Sequence, residues 1–152
     1  MKQTFLVLFV LLVSYNAIAQ IDTTSFPKER NEIRELMRNR KPDIQIDCKD
    51  FIAVGAKGDI SFSHEAWQGV QSKEKIVFKS VRPVPGNEFI RIYDGNMAVV
   101  NFLINVQLEV DGRAVNMKVR RLEVFHKTIS GWCRVAGQGT EIDEKLFPVK
   151  AN

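Results

Sequence analysis

The sequence predicts an α+β fold, a curved antiparallel sheet wrapped on short N-terminal helices with a pocket left between the two layers. Three observations predict it. Helix-type spacing is confined to the stretch before Lys75. From Lys75 onward nearly every segment reads as strand, interrupted at Pro83, Pro85-Gly86, Asp94-Gly95 and Asp111-Gly112. In the longest of these segments Val100, Phe102, Ile104, Val106, Leu108 and Val110 alternate with Asn101, Leu103, Asn105, Gln107 and Glu109. Successive strand side chains point to opposite faces, so one face is apolar and the other mostly polar. The apolar row is expected to meet the helices.

The elements follow in order. Residues 1–19 are read as a secretory signal peptide. One Lys precedes an apolar run from Phe5 to Val13, and small residues end at Ala17-Ile18-Ala19. That run is too short for a permanent bilayer span, which needs about twenty residues. Cleavage near Ala19 would leave residues 20–152 as one secreted or periplasmic domain with no membrane span. The first helix carries Pro27 in its first turn, places Phe26, Ile33, Leu36 and Met37 on one stripe, and stops at Lys41-Pro42. Its Glu and Arg residues are expected on the solvated face. A short strand from Phe51 to Ala56 and a turn at Lys57-Gly58-Asp59 follow. Ser63 is a natural N-cap for a second helix ending near Ser72, with Glu65 in its first turn and Trp67 as its one large apolar residue.

The strand carrying Val115, Met117 and Val119 at odd positions then shows Leu122 and Val124 at even ones. A β-bulge near Arg120-Arg121 would account for the slip and would bend the sheet. A bent sheet with few helices leaves a mostly apolar cavity with some polar groups at its mouth.

Composition narrows the function classes. The chain of 152 residues balances 22 Lys and Arg against 18 Asp and Glu, a formal net charge of +4. The charges are scattered rather than gathered on one face, which argues against nucleic-acid binding. Cys48 and Cys133 are the only cysteines. In an oxidising compartment they can pair; alternatively they are two separate buried thiols. Two Cys and two distant His make no metal site, and no cofactor motif is present.

The closing half, "DGNMAVVNF" then "VRRLEVFHKTISGWCRVAGQGT", resembles the C-terminal strands of SnoaL-like domains in the nuclear-transport-factor-2-like superfamily. The resemblance rests on Asp94-Gly95 before Ala98 to Val100, on Val124-Phe125, and on Gly131-Trp132. Asp50-Phe51 and "KGDI" resemble the same family's first strand and turn. It implies a cone: helices capping a curved sheet around a pocket, in a superfamily that includes isomerases, cyclases, dehydratases and oligomerisation domains. Two departures matter. The helical region before Asp50 is shorter than usual for the family. The Asp base and Tyr donor of the steroid-isomerase branch also have no matching positions, since Tyr93, beside a turn, is the only tyrosine after residue 19.

The candidate ligand-binding residues are Trp67, Phe102, Ile104, Arg121, His126 and Gln138. His126 could be a general base or an anion contact, or simply a strand-end residue facing solvent. His64 reads as an exposed helix-start residue. Lys118, Arg120 and Arg121 could hold a carboxylate, or form a solvated face or dimer contact. On the last strand, Trp132, Arg134, Ala136 and Gln138 share one parity, with Gly137 and Gly139 flanking Gln138. The expected function is small-molecule binding, of an apolar or carboxylate-bearing ligand, by a homodimer. The alternatives are an isomerase, dehydratase or cyclase using Gln138, His126 or Arg121, and a partner-binding module.

Overall fold

The computed structural model describes residues 22–39, 46–55 and 58–146. The signal-peptide reading at residues 1–19, the Lys41-Pro42 stop and residues 56–57 lie outside them. Among the described residues two helices and seven strands follow in the order α1 (Pro27–Arg38), β1 (Asp47–Val54), β2 (Ile60–Ser61), α2 (His64–Lys73), β3 (Ile76–Pro83), β4 (Phe89–Tyr93), β5 (Met97–Val110), β6 (Arg113–Thr128) and β7 (Gly131–Glu141). The strands form one sheet in the order β2-β1-β7-β6-β5-β3, with β4 also on β5. Strands β3 and β4 share the same edge of β5: β4 pairs with residues 97–101 and β3 with residues 104–110. Every pairing is antiparallel except β1 with β7, which is parallel.

Local chemistry explains the corners. Asp94 and Gly95 have φ of 48° and 70°, Asp111 and Gly112 of 50° and 79°. Two successive left-handed residues make the hairpin turn whose twist matches that of flanking strands. Ser63 caps α2 as expected, its hydroxyl oxygen accepting from the Ala66 N–H at 3.1 Å. Glu65 in the first turn is held below the usual carboxylate range by its own backbone N–H and by the Ser63 hydroxyl.

The apolar row of β5 is largely buried, in two clusters bridged by Phe102, but only the first meets a helix, against the expectation that the whole row would. In the first, Ile33, Leu36 and Met37 of α1 cover Ile90, Ile92, Ala98, Val100 and Phe125. Ile33 is fully buried, which contributes roughly 2–3 kcal/mol. The second cluster, around Ile104, Val106, Leu108 and Val119, consists of strand residues only. Helix α2 buries no residue completely.

Three sequence expectations are corrected. The β5–β6 register runs unbroken from Met97↔His126 to Val110↔Arg113, so no bulge lies at Arg120-Arg121. Odd parity simply continues: Arg121, Glu123 and Phe125 share the core face with Val119, while Leu122 is 41% exposed on the other face. The bulge is in β7 instead. Val124 pairs with Ala136 and Phe125 with Arg134, leaving Val135 as the extra residue. That insertion separates Trp132 and Arg134, on the core face, from Ala136 and Gln138, on the outer one. Finally, Arg30 does not join the solvated side of α1. It is 3% exposed, and its guanidinium donates to the carbonyls of Ser25, Asp22 and Ile90. It thereby ties the helix lead-in to β4.

Candidate functional site

The centre of the core face is ionic. Glu123 stands opposite Val100 on one side and Gly137 on the other. Its Oε1 accepts from Arg134 Nη1 at 2.7 Å and from Arg121 Nη2 at 2.8 Å. Arg134 Nε donates to Asp47 Oδ1 at 2.7 Å, and Asp47 Oδ2 lies 2.7 Å from His64 Nδ1. Five side chains from β1, α2, β6 and β7 thus form one chain, His64–Asp47–Arg134–Glu123–Arg121. The side chains of Asp47, Glu123 and Arg134 are 1–2% exposed, those of Arg121 and His64 21% and 22%. The interior of the chain is sealed while its two ends reach the surface.

The backbone makes room for it. The bulge at Val135 turns Arg134 onto the core face, where its guanidinium carbon lies 4.6 Å from the centre of the Phe51 ring. A Cβ on Gly137 would come within 3.1 Å of Arg121 Nη2 and 3.7 Å of Arg134 Nη1; one on Gly139 would lie 3.1 Å from Arg121 Nη1. The two glycines let the Arg121 guanidinium lie against the strand. Burial opposes the charge of Arg134, but the carboxylates of Glu123 and Asp47 outweigh it and raise the guanidinium above its ordinary value.

The expected ligand residues divide between places. Phe102 and Arg121 are direct cross-strand partners, and Ile104 pairs with Val119 one step along the same face. His126 and Gln138 are exposed on the opposite face, beside Cys133 and Leu122 respectively. Trp67 sits on α2 with its ring 5.9 Å from that of His64. Arg134, Glu123 and Asp47 were not among the expected residues. The Gly-x-Gly at Gly137 and Gly139, which fits a close approach to the backbone or a bulge, was the visible signal, and what approaches is a guanidinium. His64 is half-buried and paired, not an exposed helix start. Cys48 and Cys133 form a disulfide with Cα atoms 5.2 Å apart.

A second feature is a cavity of about 850 Å³ along α1. Lys28, Asn31, Glu32, Glu35, Leu36 and Asn39 form one continuous helical stripe facing Ile46 and Trp132. Trp132 is fixed on two sides. Its Nε1–H donates to Glu32 Oε2 at 2.8 Å, and the Lys127 ammonium lies 5.4 Å from its ring centre. Lys127 also pairs with Glu32 at 2.7 Å and Glu29 at 3.5 Å.

The Lys127 ammonium, followed by the Trp132 N–H, holds Glu32 below its ordinary value of 4.5, and Glu32 raises Lys127 above 10.5. A depressed carboxylate stabilises the fold above its unfolded-state value and loses that contribution as pH falls through the folded one. The melting temperature of the protein is therefore expected to drop on acidification below pH 4.5. Glu32→Gln should flatten the profile below pH 4.5. A profile unchanged by Glu32→Gln would contradict the coupling. The Lys127 share runs the other way, fading as pH climbs above 10.5.

Among the described residues no group of three or more His, Cys, Asp and Glu is placed to hold a metal, and no helix is long and apolar enough to cross a membrane. No protein-family model matches the chain, and no curated protein matches it significantly. Solved structures do. An NTF2-like protein of unknown function from Prochlorococcus marinus superposes with a TM-score of 0.62 at 14% identity, over 78% of this chain and 98% of that one. An NTF2-like protein from Cytophaga hutchinsonii gives 0.55 at 22% identity, over 75% and 86%. A protein from Parabacteroides distasonis provisionally named a ketosteroid isomerase gives 0.53 at 11%, over 75% and 85%. At these identities the likeness speaks for the fold alone: the chain has an NTF2-like α+β fold, as the SnoaL-like resemblance implied.

Proposed function

We propose that the protein is exported and binds a small, mostly apolar molecule bearing a carboxylate on the concave face of its sheet, as a homodimer. One observation carries the reading: Arg121 stands among Phe102, Ile104 and Val119, its guanidinium laid on Gly137 and Gly139 and held by Glu123. An oriented guanidinium on an apolar floor is how a protein captures a carboxylate attached to a hydrocarbon body. The leader-like residues 1–19 and the disulfide support export to an oxidising compartment. Exposed Ile52, Phe89 and Leu122 on the outer face support pairing of two copies through the sheet.

Titration of the full chain with dodecanoate and with dodecanol tests the ligand class. Dodecanoate should bind saturably, and Arg121→Gln should weaken it at least tenfold while leaving dodecanol unchanged. Gly139→Ala keeps the arginine but crowds its Nη1 and Val119 Cγ1, at 3.1 and 3.3 Å. A several-fold loss confined to dodecanoate is expected from it. Equal dodecanoate affinity in wild type and Arg121→Gln would refute the reading, as would binding of neither probe. The oligomeric state is read by light scattering.

An acid–base enzyme is the second reading, favoured by the 2.7 Å contact of His64 Nδ1 with the buried Asp47. A carboxylate behind an imidazole orients it for proton transfer. Deuterium gained by the bound molecule during incubation in D2O, and lost in His64→Ala, would favour it. A ligand recovered at unchanged mass would exclude it.

A further inference from the structure

Past Arg121 the concave face stays apolar for three successive rows. Ile104 pairs with Val119, Val106 with Met117 and Leu108 with Val115, and cross-strand partners share a face. On the other side of β5, Val81 pairs with Val106 and Phe78 with Leu108. These two residues of opposite parity reach the same face because β3 carries a bulge. Phe78 pairs with Leu108 and Ser80 with Gln107, leaving Lys79 as the extra residue. No polar side chain of β3, β5 or β6 interrupts this face until Arg113, opposite Val110.

The floor of this track is closed and its side is open. Ile104, Val106 and Leu108 are buried, whereas Val81 and Phe78 are 51% and 48% exposed. Val115 and Met117 are half-buried, and no helix residue joins the cluster. A single exposed apolar residue is ordinary, but here two large ones line up along a buried apolar floor. At the near end, Arg121 has donors to spare. Among the described residues its guanidinium makes one hydrogen bond, from Nη2 to Glu123, while a guanidinium carries five N–H donors. Its side chain is 21% exposed.

The dimensions fix the occupant. Arg121 and Val115 are six residues apart on β6, about 20 Å at roughly 3.4 Å per residue. An extended chain advances about 1.2 Å per bond, as the polypeptide does over its three bonds per residue. Roughly sixteen carbons therefore span the track, while about twelve end beside Val106 and Met117, short of Phe78. We infer that the ligand of the concave face is a long-chain fatty carboxylate of about sixteen carbons, its head on Arg121 and the end of its tail against Phe78. The inference rests on the carboxylate reading proposed above and adds chain-length selectivity to it.

Titration calorimetry of the full chain with dodecanoate and with hexadecanoate, each below its self-association limit, tests this. A fully buried methylene adds about fourfold in affinity, so four partly covered ones should make hexadecanoate at least tenfold tighter. Phe78→Ser, at a half-exposed edge position, should weaken hexadecanoate at least fivefold and leave dodecanoate unchanged. Dodecanoate bound as tightly as hexadecanoate would overturn the chain-length inference while the carboxylate reading stands. So would Phe78→Ser weakening both acids alike or neither. Light scattering that shows Phe78→Ser splitting a dimer would assign Phe78 to a second copy instead and equally overturn it. Binding of neither acid would sink both readings together.

Discussion

Glu123→Ala is expected to destabilise the protein by about 3–5 kcal/mol, the usual cost of removing one member of a buried ion pair. The reason is what remains. Glu123 Oε1 accepts from both Arg134 and Arg121. Without it, Arg134 keeps one carboxylate among the described residues, Asp47, while staying 2% exposed, and a buried guanidinium short of a carboxylate retains most of its desolvation cost. Denaturant unfolding at neutral pH measures the loss; a change below about 1 kcal/mol would show that water or neighbouring groups replace the carboxylate easily. A second arm separates charge from shape. Pairing Glu123→Leu with Arg134→Met in an Asp47→Asn background, since Arg134 also holds Asp47, removes the buried charges at similar volume, and should recover a large part of the loss. The combined variant falling as far as the single one would mean that packing, not charge, holds this region.

The second large effect is expected from the disulfide. Cys48 and Cys133 are 85 residues apart, and closing a loop of that size restricts the unfolded chain by about 4.6 kcal/mol. Cys48→Ser with Cys133→Ser should therefore lower stability by roughly 2–5 kcal/mol, and the melting temperature by about 10 °C or more. The location makes the crosslink more than an entropic tether. Between Asp47 and Ile52, β1 spends five residues while β7 advances by two, from Arg134 to Ala136. Cys48 lies within that lapse in backbone pairing, beside the carboxylate that holds Arg134. Loss of the disulfide should consequently couple to Asp47→Asn, the combined effect departing from the sum of the separate ones by about 0.5–3 kcal/mol. Strict additivity would show that the lapse is held by other contacts.

The scaffold was largely legible in the sequence because it rests on short-range rules. The Asp-Gly pairs, the Ser63 cap, the Pro27 start and the period-two row of β5 each act within a few residues. The site was not, because it depends on partners far apart. Leu122 and Val124 looked like the continuation of the apolar face, which Arg121 and Glu123 in fact hold. Only the neighbouring strand, with Gly137 and Gly139 in place of side chains, explains why the charged pair turns inward. The bulge at Val135 had the same effect on β7. A single inserted residue reassigned Arg134 to the interior and Gln138 to the surface, and nothing local to that strand distinguishes it from a regular alternation. Arg30 and His64 were misjudged for a related reason. Their partners, the Ile90 carbonyl and Asp47, come from other elements.

The parallel partnership of β1 with β7 carries a consequence for how the chain reaches its final form. The earliest strand to be synthesised finds its main neighbour only in the last, and long-range closures of this kind are slow. The hairpins β4–β5 and β5–β6 can assemble from adjacent residues, whereas Asp47 and Cys48 must wait for residues 131–141 to arrive. Oxidation of the two thiols is thus a late event, and its appearance in a refolding time course should report completion of the whole architecture rather than of its N-terminal part.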